Sequence, residues 1–591
     1  RVETKTSMEQ THGSSFSSIR AYGQALIQTP KRVLHRAGSV STSYDEMSRI
    51  RARSGSNMQK TLRWFDLIGL GIGGMVGAGV FVTSGRASRL YSGPAVILSY
   101  AISGLCALLS AFCYTEFAVD MPVAGGAFSY LRVTFGEFAA FFTGANLVID
   151  YVLSNAAIAR SLTAYLGTVV GKHYFQYILL GFSSRILHTQ CFISTSKFLI
   201  QFLVWFYSTK ESSSLNIVLT VIHILFILFI IIIGFTRGEW KNLVEPSDPK
   251  KPDGFFPYGV TGVFNGAAMV YLSYIGYDAV STMAEEVKNP KKDIPIGVSG
   301  SVVIVTVLYC LMAASMSLLV PYDMIDTEAP FSAAFRAADR WGWVSNVIGV
   351  GASFGILTSL LVSLLGQARY LCVIGRSRVA PVWFAKVNPK TTTPVNASAF
   401  LGIFTAAVAL FTDLNILLNL VSIGTLFVFY MVANAVIYRR YVSTGITNPW
   451  PTLSFLLSFT CTSIIFTLSW QLGPTGTPRI LLLVACTVIA FVLLQVFRCA
   501  VPQVSKPQSW GVPLMPWIPS ISIFLNVFLL GSLDGPSYLR FAFFSGLIVL
   551  VYLLYSVHAS FDAEGDGYFL QKEVEMPKFP EESDDVNTLH V

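Results

Sequence analysis

The sequence predicts an all-α integral membrane protein of about 14 transmembrane helices, with a 5+5 inverted-repeat core and broken helices 1 and 6. The chain of 591 residues is 53% hydrophobic and only 13% charged, and its mean hydropathy is +0.58. Apolar stretches near the ~20 residues that cross a bilayer recur along it. Two of these stretches are interrupted in their middle by glycines or small polar residues. This pattern excludes an ordinary soluble protein.

Loop charge orients the predicted spans. Short loops on one side of the membrane carry clustered cations such as Lys291 and Lys292, or Arg439 and Arg440. The positive-inside bias therefore places both termini in the cytoplasm. Charged and hydroxyl residues interrupt the fourth span, so its apolar signal is poor. The spans are predicted near 64–84, 93–117, 138–170, 174–206, 215–235, 257–284, 295–320, 343–374, 396–411, 415–438, 451–471, 480–501, 515–532 and 538–557.

The first interrupted span contains the glycine-rich run at 71–79. Glycine is about 1 kcal/mol worse than alanine inside a helix, so this run predicts a helix that breaks within the membrane. The inner half is expected to end near Met75, which leaves carbonyl groups for an ammonium group. The outer half is expected to begin near Gly77, Ala78 and Gly79, whose N–H groups suit a carboxylate.

A second interruption lies about 200 residues later, at 270–278. If the sixth span repeats the first in inverted orientation, the two breaks meet near the bilayer midplane. The half-helix that ends near Leu272 and Ser273 then offers further carbonyls. A site that binds both an ammonium and a carboxylate group fits the α-carbon of an amino acid.

Two carboxylates are predicted inside the membrane, and each costs about 2.5–3.5 kcal/mol on insertion scales. Asp150 lies in the middle of the third span, and Asp278 lies just beyond the second break. Together they would complement a cationic substrate side chain. The alternative is structural: Asp150 would bond a neighbouring helix, and Asp278 would cap the outgoing half-helix.

One histidine, His223, stands alone in the fifth span. Its titration range suits proton coupling, whereas a lone buried histidine also serves simply in helix packing. Residues 69–74 and 351–355 match short sequence motifs of soluble enzymes. Both matches lie inside apolar spans, without the strand and helix that such motifs need. The sequence therefore predicts no enzyme, no cofactor, no metal site and no nucleic-acid partner.

Four segments follow from this pattern. Residues 1–63 form a basic cytoplasmic tail, with 11 Lys or Arg against 4 Asp or Glu. Residues 64–440 form the ten-helix inverted-repeat transport core, and residues 441–558 form four additional transmembrane helices. Residues 559–591 form an acidic cytoplasmic tail.

Several motifs together resemble those of the cationic amino acid transporters of the amino acid–polyamine–organocation superfamily. The motif sequences are most similar to the plant branch of that family. They cover roughly residues 60–441. The motifs are GIGGMVGAG at 71–79, YTEF at 114–117, PVAGGAFSY at 122–130, YIGYDAVSTMAEE at 274–286, NP at 289–290, DIPIG at 293–297, GQAR at 366–369, NPK at 388–390 and TPV at 393–395.

The resemblance implies a secondary active transporter that moves arginine and lysine across a lipid bilayer, coupled to protons, by alternating access. It matches the substrate carboxylate to the glycine turn and the ammonium to the carbonyls of Met75 and Leu272. It also adds Ile275 to the contributions of the sixth span. Proton-coupled relatives can carry a lysine where His223 falls.

Three alternatives remain open at this stage: a carrier of neutral or broad-range amino acids, a polyamine carrier, and an amino acid-sensing receptor of the same fold. The expected location is the plasma membrane, with the vacuolar membrane as the alternative.

Overall fold

The computed structural model describes residues 15–39, 62–77, 79–122, 125–170, 209–337, 342–388, 393–412, 414–443, 446–473, 476–507, 509–533 and 535–565. Over these residues the fold is almost entirely helical, apart from one isolated bridge between Leu62 and Val287. Nine helices in the described ranges are long and apolar enough to cross a membrane. The all-α membrane fold predicted from the sequence is therefore confirmed.

Short connections separate most of the helices. The α-helices of the described residues are α1 (Ile19–Ile27), α2 (Thr29–Arg36), α3 (Trp64–Met75), α4 (Ser84–Ala87), α5 (Val96–Asp120), α6 (Gly126–Phe135), α7 (Glu137–Val170), α8 (Thr209–Arg237), α9 (Gly259–Val270), α10 (Tyr277–Thr282), α11 (Pro290–Leu319), α12 (Pro330–Ala337), α13 (Gly342–Arg376), α14 (Val395–Phe411), α15 (Leu414–Tyr441), α16 (Trp450–Leu472), α17 (Thr477–Ala500), α18 (Trp517–Gly531), α19 (Gly535–Val551) and α20 (Val557–Gly565).

Apart from the predicted span at 174–206, which lies outside the described residues, each predicted span coincides with helix. Core and periphery differ in burial. In α7, 72% of the most apolar window is buried inside the protein, against 17% in α17. An apolar helix that the protein does not cover must face lipid, so α17 lies at the rim and α7 in the centre.

The described parts of the two chain ends pack together on one side of the molecule, which we call the terminal face. Arg32 lies 3.5 Å from the Asp562 carboxylate in α20. Arg36 pairs with Glu564 of α20 at 2.7 Å and with Glu137, the first residue of α7. Burial alone would lower the pKa of the Arg36 guanidinium, but the charges and hydrogen bonds of its two carboxylates raise it above its ordinary value.

Further arginine–carboxylate pairs lie on this face. The Nε and Nη2 atoms of Arg440 donate hydrogen bonds to the Glu116 carboxylate at 2.6 and 2.8 Å, and both side chains are buried. Arg369 pairs with Glu286 at 2.5 Å. These pairs join helices that are distant in sequence, so they hold the bundle together at its polar end.

Candidate functional site

The first broken helix changes direction where the glycine-rich run predicts. Helix α3 ends at Met75 because Val76 adopts an extended backbone, with φ −77° and ψ 98°. Helical structure resumes as a π-helical turn at Gly79–Thr83 and continues into α4. We call Val76 and Gly77 the first break; Ala78 lies outside the described residues. The break leaves backbone groups without the regular bonding of a helix.

The second broken helix ends differently. Helix α9 runs into a 3₁₀ turn at Tyr271–Tyr274, then Ile275 is extended and Gly276 has φ +133°. We call Ile275 and Gly276 the second break. This backbone needs glycine, and a Cβ atom there would also lie 2.6 Å from the carbonyl carbon of Gly74. The second break is therefore in direct contact with the last residues of α3, next to the first break, as the inverted-repeat prediction requires.

A small cavity lies beside the two breaks, with a volume of about 20 Å³, which is room for one water molecule. Residues of both broken helices and of three other helices line it. The lining residues are Gly74, Met75, Gly77 and Gly79 of the first broken helix, Leu272 and Ile275 of the second, Ser154, Ala157 and Ile158 of α7, Ser359 of α13 and Leu418 of α15. Five predicted site residues, Met75, Gly77, Gly79, Leu272 and Ile275, thus share one cavity.

Tyr309 of α11 joins the two broken helices from a side that does not line the cavity. Its buried hydroxyl donates to the Met75 carbonyl at 2.7 Å and lies 3.0 Å from the Ser273 carbonyl. The Ser273 hydroxyl lies 3.0 Å from the Thr83 hydroxyl of the π-helical turn. Sequence reasoning did not find Tyr309, because one tyrosine in an apolar span carries no sign of what it faces.

Asp150 lies on the face of α7 that also carries cavity residues. Ser154 is one turn further along this helix, about 6 Å away by helical rise. The Asp150 carboxylate accepts a 3.0 Å hydrogen bond from the Thr425 hydroxyl of α15, and only 4% of the residue is exposed. It packs on Gly424, where any side chain would collide with its oxygens. No arginine or lysine pairs with it within the part of the chain that the structure describes.

Asp278 lies behind the second break instead of in the cavity lining. One oxygen accepts the Tyr151 hydroxyl of α7 at 2.6 Å, and the other accepts the Gly276 N–H at 3.0 Å. The carboxylate therefore fixes the turn that starts α10 and ties it to α7. This placement agrees with the capping alternative, and the contact with a substrate cation stays a prediction.

His223 packs among aromatic rings on α8. Its imidazole stacks on Phe81 of the π-helical turn, with ring centroids 5.8 Å apart and planes 7° apart. The ring centroid of Phe226 is 6.3 Å from that of His223. Gly355 packs against the imidazole edge, where a side chain would collide with the ring. The Nε2 atom has no hydrogen-bond partner among the described residues. The histidine thus touches the first broken helix without lining the cavity, and its proton-coupling role stays a prediction.

Known proteins resemble the chain over most of its length. The amino acid permease family model matches residues 62–524, and a model of the C-terminus of these permeases matches residues 510–560. "Cationic amino acid transporter 7, chloroplastic" of Arabidopsis thaliana is 68% identical over 95% of this chain and 96% of its own length. "Cationic amino acid transporter 6, chloroplastic" is 65% identical over 98% and 99%, and "Cationic amino acid transporter 1" is 44% identical over 93% and 91%, both from the same plant.

These names correct one expectation. A plasma-membrane location was predicted, but the relatives that are 68% and 65% identical are named chloroplastic. The prediction is wrong because loop charge reports the orientation of spans in a membrane and not which membrane receives them. The names also agree with the prediction that the chain is no enzyme. The chain belongs to the amino acid permease family, among the plant cationic amino acid transporters, and it carries amino acids across a membrane.

Proposed function

We propose that this chain is a secondary active transporter of cationic L-amino acids, with arginine and lysine as substrates and with uptake coupled to protons. The observation that carries the proposal is the position of Asp150. It is a buried carboxylate one helical turn from Ser154, which lines the cavity beside the two broken helices. A buried charge without an ionic partner in the protein is costly, and a substrate cation would neutralise it.

The two breaks supply the part of the site that every L-amino acid shares. N–H groups at Gly77, Ala78 and Gly79 would bind the substrate carboxylate, since the positive end of a helix favours an anion. The carbonyls of Met75 and Leu272 would bind the ammonium, with Ser273 and Ile275 completing the second break. The contact between Gly74 and Gly276 supports this arrangement because it brings both backbones to one place.

The side-chain cation would then point along α7 towards Asp150. Ser154 lines the cavity and lies one turn from this carboxylate on the same helix face. Asp278 would contribute its negative charge from behind the second break. Neutral amino acids would bind the shared part of the site but would leave Asp150 without a cation, which gives the preference for basic substrates.

Transport would proceed by alternating access. A cavity of about 20 Å³ is far too small for arginine, which supports a closed arrangement of the broken helices as one state of this cycle. Opening requires the broken helices to move against α7, α13 and α15, which line the opposite wall. His223, stacked on the π-helical turn of the first broken helix, would link a proton to this movement.

We also propose that the protein acts in a chloroplast membrane, because the two relatives at 68% and 65% identity are named chloroplastic. A fluorescent fusion of the native full-length protein tests this location. We expect the signal at the chloroplast boundary, and signal confined to another membrane would contradict it.

Uptake by the purified chain in proteoliposomes tests the function. Labelled arginine should accumulate faster with an inward proton gradient, and excess lysine but not leucine should compete. Protein-free liposomes set the background. Asp150→Ala should abolish the gradient-stimulated uptake of arginine. Asp253→Asn, which changes an exposed loop aspartate, is its control. Arginine binding without uptake would favour a receptor, and equal competition by leucine would favour a broad carrier.

A further inference from the structure

A second and larger cavity lies beside α7. Its volume is about 450 Å³, within the roughly 300–1,000 Å³ of small-molecule sites. Residues of α7, α14, α15 and α19 line it, and nearly all of them are apolar. We call it the α19 groove. Leu539 and Phe543 on its rim are 76% and 69% exposed, so the groove opens sideways towards the bilayer.

The polar groups of the groove sit at one end. Thr412 directly follows the last residue of α14, and Arg540 lies in the second turn of α19. Helix ends in a membrane protein lie near the headgroup region, where arginine side chains reach the polar surface. Arg540 makes no hydrogen bond or ion pair with any residue in the described ranges.

The interior of the groove is apolar. Val408 lies one turn before Thr412, and Phe544 lies one turn after Arg540, so both are deeper in the membrane than the polar mouth. Leu153 of α7 also lines the groove. The groove therefore has the polarity of a lipid molecule, with a cation at the headgroup level and a hydrocarbon surface below it.

We propose that the α19 groove binds an anionic phospholipid, with the phosphate group on Arg540 and one acyl chain along Val408, Leu153 and Phe544. A neutral lipid would fill the same apolar surface but would not complement the charge of Arg540. The bound lipid packs against a different face of α7 from the central cavity, since Leu153 and Ser154 line different cavities and neighbouring residues lie about 100° apart around a helix.

Native mass spectrometry of the purified chain tests the site, with phosphatidylglycerol and phosphatidylcholine as the two probes. We expect the wild type to bind phosphatidylglycerol about fivefold more tightly, because one basic residue near an anionic headgroup contributes about 1 kcal/mol. Arg540→Gln should remove this preference, and Arg540→Lys should keep it.

Two further variants separate the headgroup from the acyl chain. Arg479→Gln removes a cation of α17 that already contacts Trp470, so the preference for phosphatidylglycerol should remain. Val408→Phe fills the groove and should weaken both lipids. Retention of the preference in Arg540→Gln, its loss in Arg479→Gln, or unchanged binding in Val408→Phe would each overturn the proposal.

Discussion

Carboxylates at the terminal face and carboxylates in the middle of the bundle are bound in different ways. At the terminal face, Glu116 and Glu137 each meet arginine, in Arg440 and Arg36. In the middle, Asp150 meets the Thr425 hydroxyl, and Asp278 meets the Tyr151 hydroxyl and a backbone N–H. Under the proposed function, the carboxylates paired with arginine serve structure, whereas Asp150 serves the substrate cation.

Burial alone does not distinguish the two regions. Glu116 and Asp150 are 6% and 4% exposed, so water reaches neither freely. An arginine partner neutralises the charge of Glu116, whereas the partner of Asp150 among the described residues is a hydroxyl, which carries no compensating charge. Only the second arrangement favours a cation that arrives and leaves.

The largest effect on stability is expected from Glu116→Gln. The change leaves the Arg440 guanidinium buried without its anion, which typically costs about 3–5 kcal/mol. A thermal unfolding curve in detergent should shift strongly downward, while the preference of the remaining folded protein for arginine over leucine should not change. Glu245→Gln is the control, because its pair with Lys241 is exposed and contributes little. A changed substrate preference in Glu116→Gln would contradict the purely structural role that we assign to this carboxylate.

An intermediate effect is expected from Tyr309→Phe. The change removes only the hydroxyl that donates to Met75 and lies near the Ser273 carbonyl. A buried acceptor without its donor costs about 1–3 kcal/mol, so the maximal rate of arginine uptake should fall roughly tenfold. Tyr438→Phe, on a half-buried tyrosine of α15, should leave the rate unchanged.

Tyr151→Phe tests whether Asp278 acts on the shape of the site or on the substrate cation. Loss of the 2.6 Å hydrogen bond should weaken the tie between α7 and the second break. Because that tie concerns the shape of the site, uptake of arginine and of any neutral substrate should fall by the same factor, about five- to tenfold. A selective loss of arginine uptake would instead give Asp278 the role that we assign to Asp150.

The smallest effect is expected from His223→Phe. Phenylalanine keeps the aromatic packing with Phe81 and Phe226 but cannot carry a proton. Stimulation of uptake by an inward proton gradient should disappear, while uptake without a gradient should stay within about twofold of the wild type. Unchanged stimulation would leave His223 a packing residue.

The sequence predicted both breaks because their signals are local. Glycines at 71–79 and the small polar residues at 270–278 interrupt apolar runs. Residues that are close in sequence determine whether the helix breaks within such a span. The positions of Met75, Gly77 and Leu272 in one cavity followed from this pairing.

The partners of the predicted site could not be predicted in the same way. Thr425 and Asp150 are 275 residues apart, and Tyr151 and Asp278 are 127 apart, so only tertiary packing brings them together. The sequence of an apolar span is the same whether a hydroxyl in it bonds its own helix, a carboxylate or a broken backbone, so the sequence does not reveal the partner. Contact of the Asp278 carboxylate with the Gly276 N–H agrees with one of its two open alternatives, and the sequence could not show it because it depends on the backbone of Gly276.

Competition between arginine and citrulline tests the central claim most directly, because the two have nearly the same shape and only arginine carries the side-chain charge. We predict that the wild type prefers arginine by at least about tenfold, since a charge-assisted hydrogen bond is worth roughly 1.5–3 kcal/mol. Asp150→Asn should lose this preference while still transporting citrulline. Retention of the arginine preference in Asp150→Asn, with Asp253→Asn behaving as the wild type, would contradict the assignment of Asp150 as the substrate's counter-charge.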